Sequence, residues 1–293
     1  MKRLLRRVCC YLPDMIVMQL DNLRTYGRLL NLENPKYYGE KIQWIKARGN
    51  IERYRDLVDK YLVRDYIRDT IGDEYLPKII GVYDKEDEID YSKLPQKFFL
   101  KLNDGSDRNI VCRNKDLLDI KKTNKKLRAL LEEDYYKYTK EPQYRGIKKK
   151  IICEEYLEDK NGKLVEYNLH CFSGKAKIIE VHIDRNTDYS EGFFSIDWEK
   201  LEFKGKAKNV SREIERPKFL EKLISFAEIL AKDLEYVRVD FNAVDEKLYF
   251  SELTFTPANG TDRFHPLEYD LKIAGLINLN KYNKPLVLGG NNE

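Results

Sequence analysis

YVRVDFNAVDEKLYFSELTFTP, residues 236–257, predicts two β-strands joined by a tight turn. In each half apolar residues alternate with polar ones, and residues 245–247 interrupt the alternation. Because successive side chains of a strand point to opposite faces, Arg238, Asp240 and Asn242 share one face. The segment therefore predicts a hairpin with a polar, charged surface.

Two carboxylates of this hairpin are expected to face each other. We expect Val244 to pair with Leu248 across a three-residue turn. This register places Asp240 opposite Glu252, with Thr254 next on the same face. Facing carboxylates repel each other, and an all-oxygen site with a nearby hydroxyl suits Mg²⁺. The alternative is a sheet edge with a charged solvent face, and the hairpin alone leaves both interpretations open.

Composition narrows the class of protein and its partners. With 293 residues the chain has room for one large domain or two modest ones. Its 54 basic and 50 acidic residues give a net charge of only +4. There is therefore no general electrostatic case for a nucleic-acid partner.

The cysteines and the N-terminus bear on location. The cysteines are odd in number and show no metal-binding spacing, which favours a reducing cytoplasm: Cys9, Cys10, Cys112, Cys153 and Cys171. Pro13 and Asp14 interrupt the apolar N-terminal run, so it predicts neither a signal peptide nor a membrane span. Its basic residues could contact the inner face of a membrane, or they could be a solvated helix end: Lys2, Arg3, Arg6 and Arg7.

The remaining chain predicts a mixture of helices and strands. Helices are expected at residues 1–56, 57–71, 116–138, 218–235 and 267–277, and strands at residues 77–83, 97–102, 110–112, 150–157, 166–172 and 176–183. Residues 189–208 fit either a substrate-facing loop or a small extra hairpin. His170 and His182 fall within strands and are interpreted as structural histidines.

A small polar loop, NDGSDRN at residues 103–109, joins two predicted strands. It can be a plain hairpin turn, which its single glycine favours. It can also bind phosphate, because Gly105 allows the backbone to approach a ligand closely and successive N–H groups can hold an anion.

Taken in order, these segments resemble the ATP-grasp superfamily. The match to its TupA-like branch, tied to teichuronopeptide and capsular polysaccharide synthesis, runs from about residue 30 to about residue 276. It rests on NPKYYGEKIQWIK, FLKLNDGSDRNIVCRNKDLL, IICEEYLED, CFSGKAKIIEVHIDR and VRVDFNAVDEKLYFSELTF.

The resemblance implies an α+β fold of the ATP-grasp type. Two α+β subdomains with antiparallel sheets would sandwich ATP, preceded by a short helical N-terminal segment. We expect this segment at residues 1–56, the ATP-grasp domain at residues 57–283 with a nucleotide hinge near 153–158, and a tail at residues 284–293.

The resemblance also implies a site for ATP and Mg²⁺. Residues implied to bind ATP are Lys60, Lys101, Asn103, Gly105, Ser106, Asn109, Glu154, Tyr156, Leu157, Glu166 and, more weakly, Arg185. Those implied to hold the metal are Asp240, Glu252 and Thr254. Arg238 and Lys101 would be catalytic, stabilising the charge that spreads during phosphoryl transfer. Two positions depart from the pattern, since many relatives have Asn in place of Thr254 and Lys in place of Asn168.

The implied activity is an ATP-dependent carboxylate–amine ligase that works through an acylphosphate. It would join an amino acid or other amine to a uronic acid of a nucleotide- or lipid-linked capsular glycan. The alternatives are a glycosyltransferase-type polysaccharide protein, a kinase, and a non-catalytic nucleotide-binding partner. The sequence predicts no oligomeric state.

Overall fold

The computed structural model describes residues 6, 8–159, 164–183, 189–210 and 213–283. The strands in this part of the chain are β1 Ile79–Tyr83, β2 Phe98–Leu102, β3 Asn109–Cys112, β4 Ile151–Glu155, β5 Val165–Phe172, β6 Lys175–Ile183, β7 Ser190–Phe194, β8 Lys208–Asn209, β9 Tyr236–Val244 and β10 Lys247–Thr254. The α-helices are α1 Asp14–Tyr26, α2 Tyr38–Arg48, α3 Arg55–Val58, α4 Val63–Thr70, α5 Ile120–Glu132, α6 Tyr135–Thr139, α7 Leu220–Leu230 and α8 Leu267–Gly275. Short 3₁₀ turns connect several of them.

Two sheets organise the chain. The smaller has the strand order β1-β4-β2-β3, and the larger has the order β10-β9-β5-β6-β7-β8. The described strands pair antiparallel except β7 and β8, which are parallel. The predicted α+β class with antiparallel sheets is confirmed.

Each sheet packs against its own apolar core. Helix α7 turns Leu223 and Ala227 into the core of the larger sheet, as expected for an amphipathic helix. The N-terminal helix α2 contributes Tyr38 and Ile42 to the same core. The core therefore extends across residue 57, and the domain boundary at that residue stays a prediction.

The predicted helix at residues 57–71 is wrong in one respect, because it is broken after Val58. The Asp59 carboxylate accepts hydrogen bonds from the backbone N–H groups of Tyr61 at 2.8 Å and Leu62 at 3.2 Å. Such local bonds compete with the helical ladder. The break leaves Lys60 in a turn between α3 and α4, from which its side chain reaches the space between the sheets.

Residues 189–208 contain the small hairpin that is one of the two predicted alternatives. Phe194 and Lys200 form an antiparallel bridge, and the Leu201 N–H donates to the Phe193 carbonyl at 2.8 Å. Strand β7 extends the larger sheet by pairing with β6, and β8 returns parallel to β7. Between them, Trp198 stacks on Phe194 with ring centroids 4.4 Å apart. The segment is thus an ordered edge of the sheet.

The described parts of the termini give little evidence on the predicted membrane contact. Among the described residues, no helix is long and apolar enough to cross a membrane. Arg6 is described, and its guanidinium lies 4.9 Å from the centroid of the Tyr138 ring. Lys2, Arg3 and Arg7 lie outside the described residues, as does the tail at residues 284–293, so membrane contact stays a prediction.

Candidate active site

The β9–β10 hairpin places the two carboxylates opposite each other, although its turn differs from the predicted one. Val244 pairs with Lys247 rather than with Leu248, so the turn has two residues, Asp245 and Glu246, both at positive φ. The register then shifts between Phe250 and Glu252, which is the signature of a β-bulge. This bulge restores the pairing of Asp240 with Glu252.

Asp240 and Glu252 share a compact set of polar partners. Arg238 donates from Nε to Asp240 Oδ1 at 2.8 Å and from Nη2 to Oδ2 at 2.7 Å. Thr254 Oγ1 lies 3.1 Å from Asp240 Oδ2 and 3.3 Å from Glu252 Oε1. Lys60 Nζ lies 3.2 Å from Glu252 Oε2. The two carboxylates therefore converge on one hydroxyl and are flanked by two cations.

The pKa values of the pair move in opposite directions. Burial raises the pKa of Asp240 to about 6, although Arg238 opposes the shift. Burial also acts to raise the pKa of Glu252, but Lys60 and then Arg238 outweigh it and hold this pKa below its usual range. A divalent cation between the two groups would favour the ionised form of both.

This donor set fits Mg²⁺. Two carboxylates and a hydroxyl are hard oxygen ligands, which Mg²⁺ prefers, and they lie on adjacent strands of a rigid sheet. Asp240, Glu252 and Thr254 are the residues that would hold the ion.

Lys60 connects the larger sheet to the polar loop at residues 103–109. Its Nζ donates to the Gly105 carbonyl at 2.6 Å while it pairs with Glu252. Gly105 has a φ of 69°, and a Cβ there would come within 2.5 Å of the Tyr135 ring. Only glycine therefore fits this turn, which brings the loop over the carboxylate pair.

Asn103 anchors this loop from behind and does not line the cavity. Its side-chain amide donates to Asp59 Oδ2 at 2.7 Å and to the Lys148 carbonyl at 3.0 Å. Its Oδ1 accepts from the Lys150 N–H at 2.7 Å. These bonds link α3, the loop and the start of β4, so Asn103 positions the loop.

We therefore expect Asn103→Ala to destabilise the fold by about 2–3 kcal/mol, since it leaves buried polar groups without partners. Thermal unfolding should show a Tm lower by roughly 4–8 °C. Asn109→Ala is the matched control, because Asn109 is exposed and lines the cavity. Equal Tm values for the two variants would contradict the anchoring role.

Lys101 and Glu154 form the opposite wall, on neighbouring strands of the smaller sheet. Lys101 Nζ lies 2.7 Å from Glu154 Oε2, and Arg64 Nη1 lies 3.2 Å from Glu154 Oε1. Glu154 is thus held by two cations. Lys101 lines the same cavity as Lys60, which comes from the turn between α3 and α4, and Arg238, which comes from the larger sheet.

One cavity of about 700 Å³ joins these groups, which is a size typical of a small-molecule site. Its apolar part is formed by Phe99, Val111, Tyr156 and Leu157, and its charged part by residues of both sheets. The cavity is therefore lined by apolar side chains as well as by a cluster of cations and carboxylates.

The family follows from a match that spans most of the chain. The family model described as TupA-like ATP-grasp matches residues 40–278. The chain belongs to the TupA-like ATP-grasp family. The predicted superfamily, branch and fold are thereby confirmed, and membership supports the prediction of an ATP-dependent ligase. A comparison with curated proteins gives no significant match.

Solved ligase structures resemble this ATP-grasp chain distantly. D-alanine–D-alanine ligase from Bacillus anthracis is 19% identical over 77% of this chain and 64% of its own length, with a TM-score of 0.41. The same enzyme complexed with ATP is 16% identical over 90% of this chain and 79% of its own length, with a TM-score of 0.45. A third structure is that of the ATP-grasp ligase PsnB complexed with a phosphomimetic precursor variant, Mg and ADP. It is 12% identical over 84% of this chain and 66% of its own length, with a TM-score of 0.43. The chain thus spans less than two thirds of the first ligase.

Most of the site residues expected for an ATP-grasp protein do meet. Those that line the cavity are Lys60, Lys101, Gly105, Ser106, Asn109, Glu154, Tyr156, Leu157, Glu166, Arg238, Asp240 and Glu252. Thr254 touches the carboxylate pair, Asn103 lies behind the loop, and Arg185 lies outside the described residues. The convergence is observed, whereas the roles of these residues toward ATP stay predictions.

Arg113 is a cavity residue that the sequence analysis missed. Its Nε donates to Tyr156 Oη at 3.0 Å, and it lines the cavity together with Asn109 and Val111. These three residues are spaced by two along β3 and its end, so strand periodicity could have placed Arg113 on the same face. The contact puts a further cation beside the apolar part of the ATP-grasp cavity.

Proposed function

We propose that the protein is an ATP-dependent carboxylate–amine ligase. The observation that carries this proposal is the meeting of Lys60, Lys101 and Arg238 with the Asp240–Glu252 pair in one cavity that also has an apolar end. A triphosphate needs cations and a metal, and a purine needs flat apolar surface. Both requirements fall within the same 700 Å³.

The residues divide by chemistry. Lys60, Lys101 and the N–H groups near Gly105 and Ser106 would hold the β- and γ-phosphates. Mg²⁺, when bound by Asp240, Glu252 and Thr254, supplies charge neutralisation at the phosphates.

The nucleoside would occupy the other end of the cavity. Tyr156 and Leu157 would contact the adenine, with Glu154 on the same strand segment, and Glu166 would accept hydrogen bonds from the ribose hydroxyls. Asn109 would contribute to the cover over the phosphates.

Arg238 would steady the phosphoryl group during transfer. A carboxylate oxygen of the substrate attacks the γ-phosphorus, the bond to the bridging oxygen breaks, and ADP leaves. An amine then attacks the acylphosphate carbonyl and loses a proton, and inorganic phosphate departs with the bonding electrons. Both steps need positioned charge and a dry site, and no side-chain nucleophile.

The substrate class is a finer proposal, supported by the TupA-like branch alone. A uronic acid of a capsular or other cell-surface glycan, linked to a nucleotide or a lipid, supplies the carboxylate. An amino acid or another amine supplies the nitrogen. We place the reaction in the cytoplasm, where ATP is available. Sedimentation with anionic vesicles would test contact with the membrane, and a protein that never sediments would exclude it.

We expect ADP and inorganic phosphate to appear together when a uronate-bearing acceptor and an amine are both present. The reason is that the cations gather around the terminal phosphates, where the γ-phosphoryl group is transferred. A coupled ADP assay and a separate phosphate assay, with each substrate omitted in turn as the control, measure this. AMP and pyrophosphate would contradict the acylphosphate route, and a phosphorylated sugar as the final product would indicate a kinase.

A further inference from the structure

A second group of ligand-type side chains lies on the same face of the larger sheet, near its other edge. Glu180 and His182 are two residues apart on β6, and Glu191 pairs with His182 from β7. One ligand atom from each of the three residues lies within 4.8 Å of the others. We call these three residues the β6–β7 cluster.

The cluster is buried and held in place. Glu191 and His182 are 4% and 5% exposed, and the Glu180 side chain is 12% exposed. Glu191 Oε1 accepts a hydrogen bond from the Ala207 N–H at 2.9 Å. A Cβ on Gly205 would come within 2.4 Å of the same oxygen. The backbone at residues 205–207 therefore packs directly on Glu191.

Both ring nitrogens of His182 lie near carboxylates. Its Nε2 is 2.8 Å from Glu180 Oε1, so these two groups are paired with each other, and a metal ion would replace the proton between them. Its other ring nitrogen, Nδ1, lies 3.6 Å from Glu166 Oε2 and 3.5 Å from Tyr189 Oη. In metal sites the second imidazole nitrogen is commonly oriented by a carboxylate, which fixes the ring.

The two carboxylates of the cluster differ in their partners. Glu180 contacts His170 and His182 and lies 3.7 Å from Arg238 Nη1. Arg238 is already committed to both oxygens of Asp240. Glu191 accepts a hydrogen bond from the Ala207 N–H, which is a neutral donor. A cation bound between the three side chains would add positive charge beside Glu191.

We propose that Glu180, His182 and Glu191 form a second cation site, which takes a transition-metal ion of the Zn²⁺ or Co²⁺ type. Imidazole is a good ligand for these ions, whereas Mg²⁺ prefers the all-oxygen set of Asp240 and Glu252. The two sites therefore differ in metal preference. This site does not depend on the ligase activity proposed above.

The bound ion would stabilise the edge of the sheet. It would link β6 to β7 and, through the hydrogen bond to Glu191, both strands to the backbone at residues 205–207. Because Glu180 also lies 3.7 Å from Arg238, a bound ion would fix the position of the carboxylate beside that guanidinium. The role is one of positioning, at a distance from the reacting atoms.

Titration of Co²⁺ into chelator-treated, metal-free protein tests the proposal. We expect visible d–d absorption that saturates, is displaced by Zn²⁺, and survives an excess of Mg²⁺. Glu191→Gln and His182→Gln should weaken Co²⁺ binding by at least about 10- to 100-fold and abolish the spectrum. Because Glu191→Gln keeps the size of the side chain, this variant alone can test the site if His182→Gln does not fold.

Two matched variants complete the experiment. His265→Gln removes a histidine that is exposed, and Asp240→Asn alters the Mg²⁺ pair, so both should keep the Co²⁺ spectrum. Loss of the spectrum in Asp240→Asn would assign the ion to the first site and overturn the proposal. An unchanged spectrum in Glu191→Gln, or no spectrum in the wild type, would overturn it as well and leave the cluster as a hydrogen-bonded network.

Discussion

Asp240→Asn and Glu252→Gln are each expected to lower turnover by on the order of 10³-fold, because a metal site of this kind supplies several kcal/mol of transition-state stabilisation. Both changes keep the size of the side chain and remove only negative charge. In Asp240→Asn the amide oxygen of the new side chain can still accept from Arg238, so the fold should persist. Initial rates over a range of Mg²⁺ concentrations measure the effect, and the Mg²⁺ requirement should rise.

The same hairpin provides matched controls. Asp245→Asn and Glu246→Gln make the same chemical changes in the exposed turn between β9 and β10, where Glu246 pairs with Lys218 on the surface. Both controls should keep full activity. Near wild-type turnover of Asp240→Asn or Glu252→Gln at low Mg²⁺ would remove the basis for the metal assignment.

Lys101→Met is expected to lower turnover by about 10²- to 10³-fold, which is the usual effect of removing one positioned charge from a site of charge development. The fold should tolerate the change, because Arg64 remains 3.2 Å from Glu154 and keeps that buried carboxylate paired. Circular dichroism and thermal unfolding check the fold, and steady-state kinetics give kcat and KM for ATP.

Lys97→Met is the control for this variant. Lys97 lies just before β2, pairs with Glu158 on the surface, and does not line the cavity. It should leave kcat unchanged. If Lys101→Met raised KM for ATP but kept kcat, Lys101 would bind ATP without stabilising the transition state.

Local sequence patterns predicted the faces of the strands but not their pairing. Period two placed Arg238 and Asp240 on one face, because alternation is a property of a single strand. The pairing of Asp240 with Glu252 was predicted from a three-residue turn that is not there. The turn is shorter by one residue and the bulge near Ser251 compensates. A bulge depends on packing between strands and leaves no clear local pattern.

Contacts between distant segments account for the other differences. Asp59 looks like an ordinary helical residue in sequence, yet its carboxylate is satisfied by Asn103, which lies 44 positions away, and by a local turn. His182 and Glu191 fall in segments whose pattern gave no sign of a shared site. Only the pairing of β6 with β7 brings them together.

The ion pairs of the cavity have a consequence for how its ligands are taken up. Lys60, Lys101 and Arg238 each hold a carboxylate that faces the same space. A free triphosphate must compete with those carboxylates, and a free metal ion must compete with those cations. When both bind, the triphosphate takes the cations and so frees the carboxylates for the metal, and the metal takes the carboxylates and so frees the cations for the triphosphate. We therefore expect heterotropic coupling, in which either ligand raises the affinity for the other by the same factor. The protein would then select the metal–nucleotide chelate and discriminate against its separate parts.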